Sequence, residues 1–351
     1  MSVAVVREFV SSESPTMGRN GAGGRPCQGV YHRPDGHWPA TAFIATHYEV
    51  DFSEHYLADL LARRGLGFLG WNTRYRGAGA YFSLDNALVD IEVGVRWLRE
   101  AAGVERVVIL GNSGGASLMA AYQAGADEGG ELFVSLQAHP GRPDVLTTWL
   151  DPSVTDEADP VSRDPALDMF DPRHGPPYAP DFVERYREAQ VARNHRITAW
   201  CHTELDRLRS AGGSDRMFAV PRTWADLRFT DLTIDPSDRP PGCYAGDPKA
   251  ANASPFGLAA TATCRSWLGM WSLAESRCRA EPHLAKVTVP ALVLQSTGDQ
   301  GCFPRDAATI HAALGSDDKQ LELMAGDHYL LDPPDGREAA AARLAEWVGA
   351  H

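Results

Sequence analysis

Positive charge is scarce in this chain. Its 351 residues carry 33 Lys and Arg against 46 Asp and Glu, a formal net charge of −13. A nucleic-acid binder needs a basic stripe to displace the counterions of the phosphate backbone, so that partner is excluded. An anionic membrane surface is excluded as the main partner on the same ground. Long apolar runs are also missing: nothing approaches the roughly 18 residues of a membrane span. The opening residues, Met1 to Glu8, lack the basic start, apolar core and small-residue cleavage site of a secretion signal. Cysteine is sparse, and Cys27, Cys201, Cys243, Cys264, Cys278 and Cys302 include no C-x-x-C pair. That spacing gives no zinc site, and reduced thiols in a cytoplasmic protein are the expectation. No cofactor and no metal are expected. Internal repeats and low-complexity tracts are absent.

What the chain does have is apolar content, at 44% of residues, with 23% charged. That suffices for a substantial core. The length allows one large domain or two smaller ones.

One stretch organises the rest. Val107-Val108-Ile109-Leu110 is a short β-branched, apolar run that predicts a buried strand. Gly111-Asn112-Ser113-Gly114-Gly115 follows, and an apolar helix pattern follows that. This is G-x-S-x-G between a strand and a helix. In such a turn the serine takes a strained conformation and the glycines make room for its neighbours. The hydroxyl is lifted above the sheet, and the Gly114 N–H is aimed where an oxyanion would form.

Around it the pattern alternates. Strands are expected at residues 1–10, 29–32, 41–46, 66–72, 132–136, 291–295 and 320–324, with a loop over residues 11–28. Helices are expected from Asp51 to about Arg64, after Ser83 as N-cap, from Arg305 to Leu314 and from Arg337 to Val348. Strands alternating with helices predict an α/β fold: a mostly parallel sheet with helices on both faces. From 141 to 286 the alternation stops and prolines cluster. A long helix is expected there from Asp181 to Ser210, with shorter ones at 254–271 and 272–281. This segment reads as a large, mainly helical lid insertion over the carboxyl ends of the strands, where open α/β sheets bind ligands.

On these residues the chain resembles the α/β-hydrolase superfamily, over residues 1–140 and 287–351 as the two parts of the core, with 141–286 outside the resemblance. The family order is serine, acid, histidine. The resemblance implies Ser113 as nucleophile, Asp299 (in Gln295-Ser296-Thr297-Gly298-Asp299) as acid and His328 (in Ala325-Gly326-Asp327-His328) as base. Serine chemistry at neutral pH needs that set: a base to take the hydroxyl proton and a carboxylate to fix and stabilise the imidazole. Asp144 and Asp327 are the rival acids; His47, His139, His283 and His311 are the other bases weighed, and His139, at a strand end, is expected to line the pocket. The second oxyanion donor belongs to the loop after the 41–46 strand. Family members often have His-Gly there; this chain has His47-Tyr48-Glu49, so the N–H of Tyr48 or Glu49 is the candidate, and Tyr48 is taken.

The loop Arg74-Tyr75-Arg76-Gly77 is read as structural, with carboxylate binding by an arginine as the other use. Trp149, Trp200, Trp224, Trp267 and Trp271 fall in the insertion. They suit a bulky, mostly apolar substrate, or else form the insertion's own core or a homodimer face. Arg185, Arg187, Arg193 and Arg196 read as a solvated helix face. The expected activity is a serine esterase acting on a small molecule through an acyl-enzyme on Ser113. An acyltransferase, a carbon–carbon hydrolase and a non-catalytic binding protein of this fold are the alternatives. A dehalogenase or epoxide hydrolase would need aspartate at position 113.

Overall fold

The computed structural model describes residues 3–18 and 24–351. The strands are β1 (Val5–Ser12), β2 (Cys27–Pro34), β3 (Thr41–Ala45), β4 (Gly67–Asn72), β5 (Arg106–Asn112), β6 (Leu132–Leu136), β7 (Met217–Ala219), β8 (Thr261–Thr263), β9 (Ala291–Ser296) and β10 (Lys319–Met324). The helices are α1 (Ala58–Ala62), α2 (Leu84–Glu100), α3 (Gly115–Gly125), α4 (Arg142–Trp149), α5 (Pro180–Ser210), α6 (Pro248–Ala253), α7 (Cys264–Ser266, running into a π-helical turn over Trp267–Trp271), α8 (Glu281–Leu284), α9 (Pro304–Ala313) and α10 (Gly336–Ala350).

Eight strands form one sheet in the order β1-β2-β4-β3-β5-β6-β9-β10. β2 runs antiparallel to β1 and β4, and the other pairs are parallel. The central strands are covered on both faces, which is why they read as continuous apolar runs rather than alternating ones. Successive side chains part to opposite faces. Ile44, Ile109 and Phe133 join a core with α2 and α3, while Phe43, Val108 and Val134 join a second core with α1 and α10. Because β3, β5, β6, β9 and β10 are parallel, the residues after each of them emerge at one edge. The structure thus brings His47, Ser113, His139, Asp299 and His328 to the same side of the sheet.

Between β6 and β9 the chain builds the segment expected as an insertion. The long helix matches: α5 spans Pro180–Ser210. The shorter helices do not. Ala259 takes a left-handed backbone (φ 57°), and 261–263 pair with β7 instead. A capping box between Thr263 and Ser266 starts a helix only at Cys264. Ser272 is already extended (ψ 122°), which ends it.

The helix expected from Asp51 is cut to Ala58–Ala62, because Asp51 Oδ1 accepts the Ser53 N–H (2.8 Å) in a local turn that competes with helix. The strand expected at 29–32 extends to Cys27–Pro34. Residues 1–2 of the expected first strand and 19–23 of the expected loop lie outside the described residues.

The arginines of α5 are not a uniformly solvated face. Arg193 is buried and donates to the Asp151 (2.8 Å) and Pro221 (2.7 Å) carbonyls and to Glu157, and Arg187 pairs with the buried Asp226 at 2.8 Å. They fasten α5 to the surrounding loops. No helix among the described residues is long and apolar enough to cross a membrane. All six cysteines are buried and free.

Candidate active site

The turn from β5 to α3 puts Ser113 in a left-handed backbone conformation, φ 54°. For a non-glycine residue that is strain held by the surroundings. Ser113 N donates to Leu136 O (3.1 Å), and His139 N donates to Ser113 O (3.3 Å). A methyl on Gly115 would run into the Thr46 carbonyl and one on Gly111 into Ala116, so only glycine lets strand and helix close on the turn. Beneath the serine, Asn112 Nδ2 donates to Leu136 O at 2.9 Å, and Asn112 Oδ1 takes a bond from His55 Nε2 at 3.1 Å. His55 Nδ1 accepts from Leu57 N (3.3 Å), so its proton sits on Nε2. Burial lowers the His55 pKa to about 4, against the bond to Asn112.

Past β9, Asp299 is fully buried, and past β10, His328 is nearly so. His328 Nδ1 donates to Asp299 Oδ2 at 2.7 Å. The other carboxylate oxygen accepts the Gly301 and Cys302 N–H groups at 2.8 and 2.9 Å. Such a cradle fixes the plane of the carboxylate. Tyr244, from the segment between β6 and β9, stacks on the His328 ring at 4.1 Å, and its hydroxyl reaches His139 Nε2 at 3.5 Å. The His139 main-chain N–H in turn bonds the Ser113 carbonyl, which sets His139 beside the nucleophile turn. Trp149 and Trp224 continue that wall, with ring centroids 5.8 and 6.5 Å from Tyr244.

The rivals for these positions have other partners. Asp144 pairs with Arg279 at 3.3 Å, and Asp327 Oδ1 accepts the N–H groups of Tyr329 and Leu331. His283 Nε2 bonds the Arg277 carbonyl, and His311 sits in the last turn of α9. His139 lines the site as expected, but burial, with His328 and Arg142 nearby, holds its pKa well below 6.5.

In the β3 loop, Glu49 N turns to His47 Nδ1 (3.3 Å), which leaves the Tyr48 amide as the candidate donor. The Tyr48 ring is buried, its hydroxyl 3.0 Å from Ser117 Oγ. Asp299, Cys302 and His328 offer ligand atoms within 4.8 Å of one another. The arrangement fits a metal poorly: both Asp299 oxygens are engaged, and burial pushes the Cys302 thiol well above its ordinary pKa.

Two features escaped the sequence reading. Tyr244 sits in a Cys-Tyr-Ala-Gly turn with no periodicity to mark it. Arg142, three residues beyond His139, is buried with its Nη1 where a side chain on Gly114 would begin. Its position just after a strand end was the available signal. The arginine singled out instead, Arg74, is structural: Nε and Nη2 fork onto Asp90 at 2.8 and 2.7 Å.

No protein-family model and no curated protein matches the chain. Solved structures do. A hypothetical protein from Pseudomonas aeruginosa is 14% identical, with 99% of this chain and 94% of that one covered and a TM-score of 0.55. The α/β hydrolase GrgF from Penicillium sp. sh18 is 10% identical, with 99% of each chain covered and a TM-score of 0.56. Est1E from Butyrivibrio proteoclasticus is 11% identical over 92% and 93%, at a TM-score of 0.52. At such identities the likeness shows the fold alone, and that fold is the one shared with the α/β hydrolase from Penicillium sp. sh18.

Proposed function

We propose that the protein is a serine hydrolase that cleaves an ester bond of a bulky, mostly apolar small molecule. Ser113 Oγ attacks the carbonyl carbon while His328 Nε2 takes the hydroxyl proton. Asp299 fixes the imidazole and stabilises its charge. The Gly114 and Tyr48 N–H groups hold the tetrahedral oxyanion. Collapse expels the alcohol with the proton from His328, and water then releases the acyl-enzyme by the same steps in reverse roles.

The observation that carries this reading is the left-handed Ser113 at the β5–α3 turn, on the sheet edge that also carries the His328–Asp299 pair. The aromatic wall of Tyr244, Trp149 and Trp224 supports an apolar substrate body. The test is turnover of 4-nitrophenyl esters of graded acyl length. Hydrolysis that vanishes in Ser113→Ala supports the assignment; hydrolysis unchanged in Ser113→Ala ends it.

A further inference from the structure

Arg142 is a buried cation with two unpartnered nitrogens among the described residues. It opens α4, its side chain is buried, and its Nε and Nη2 have no hydrogen-bond partner among the described residues. The nearest carboxylate oxygen is Glu49 Oε1, 3.6 Å from Nη2, beyond hydrogen-bond reach. Two rings flank the guanidinium, Trp271 at 4.5 Å and Tyr48 at 5.0 Å. Rings stabilise a cation but leave its N–H groups unfilled. Other interior arginines are bonded to acceptors: Arg193 meets Glu157 and the Asp151, Pro221 and Arg222 carbonyls, and Arg228 meets Asp226. A buried charge with unfilled donors is unfavourable unless something completes it.

What would complete it sits beside the nucleophile. Arg142 Nη1 abuts Gly114, and His47 Nε2 lies 2.7 Å from where a Gly114 side chain would begin. His47 Nδ1 accepts the N–H groups of Glu49 and Val50, so its proton is on Nε2 and faces the same point. Two donors, one of them charged, converge next to the proposed oxyanion site.

We propose that Arg142, with His47 Nε2–H beside it, binds a carboxylate on the acyl portion of the substrate, close to the scissile carbonyl. Arg142 is then a specificity residue, and the substrate class is an acid-bearing ester with an otherwise apolar body. This rests on the hydrolase reading for the identity of the bond cleaved. The anion site itself stands on Arg142 and His47. A planar, forked donor suits a carboxylate better than a point charge would.

The test separates the two claims. Binding to the Ser113→Ala protein is measured by calorimetry, comparing mono-4-nitrophenyl glutarate with its methyl-capped diester. The half-ester is expected to bind at least tenfold tighter, and the preference to vanish in Ser113→Ala/Arg142→Met. Equal binding of the two, or a preference that survives Arg142→Met, overturns the proposal.

Arg142→Met is expected to melt no lower than wild type, since it removes an unsatisfied charge. A variant that fails to fold is replaced by a test on the wild-type protein. There glutarate should slow fluorophosphonate labelling of Ser113, and dimethyl glutarate should not; equal effects of the two overturn the anion site. If the half-ester binds selectively yet is never hydrolysed, the hydrolase reading falls and the anion site stands. If both esters are hydrolysed equally well, the reverse holds.

Discussion

Asp299 grips His328 through Nδ1 at 2.7 Å, and the Gly301 and Cys302 amides lock the same carboxylate from behind. The imidazole is thereby fixed in the tautomer with its proton on Nδ1, which leaves Nε2 free as a base. Asp299→Asn keeps the shape but offers an N–H in place of an acceptor. The expected result is a fall in kcat of about 10⁴-fold with the fold intact, read from ester turnover beside circular dichroism. Wild-type turnover in Asp299→Asn would remove Asp299 from the mechanism.

Gly114 is held as glycine by its surroundings, not by its backbone angles, since its φ is an ordinary −60°. An added methyl meets Arg142 Nη1 and His47 Nε2. Gly114→Ala should therefore displace both groups and the Gly114 N–H, lowering kcat/KM by about 10²-fold. Overpacking of this kind costs roughly 1–3 kcal/mol, so the protein should remain folded in a urea titration.

His55 supports the nucleophile turn through Asn112 and should make stability depend on pH. Its folded pKa is lowered to about 4 by burial, while the unfolded chain takes up the proton near the ordinary 6.5. Its contribution is complete above pH 6.5 and is lost as the pH falls from there towards about 4, because the unfolded state binds the proton first. The full effect is on the order of 3 kcal/mol. His47 and His139, also held neutral by burial, act in the same direction. His55→Gln should show a shallower loss of stability over that window than wild type, measured by denaturant titration at several pH values. Parallel curves would mean that the proton is taken up elsewhere.

Arg74 and Asp90 form a buried pair at 2.7 Å, with the Asp90 side chain fully enclosed. Removing the arginine strands that carboxylate. Arg74→Ala should cost about 3–5 kcal/mol of stability and leave the KM of any ester substrate unchanged. A large KM change at unaltered stability would restore Arg74 to the substrate site.

The sheet was legible because its central strands are buried on both faces. Val107 to Leu110 and Ala291 to Leu294 are apolar runs that cannot be much else. The nucleophile turn was legible because strand, glycines and helix are contiguous in sequence. Asp299 and His328 could be found only through the family's chain order, since what joins them is a fold-level contact across 29 residues of sequence. The segment between β6 and β9 resisted. Its local structure hangs on single events, such as the left-handed Ala259, the Thr263–Ser266 cap and Asx turns, rather than on periodicity. Arginines there bond to carbonyls from distant loops, which no spacing rule encodes. Tyr244 had no periodicity to mark it, and Arg142 had only its place just after a strand end.

The most direct measurement is labelling with a fluorophosphonate probe, with the adduct located by mass spectrometry in wild type, Ser113→Ala and His328→Ala. The account predicts one adduct, on Ser113, absent in Ser113→Ala and strongly slowed in His328→Ala. Folded protein that takes no label at Ser113, or labels equally well without His328, would contradict it.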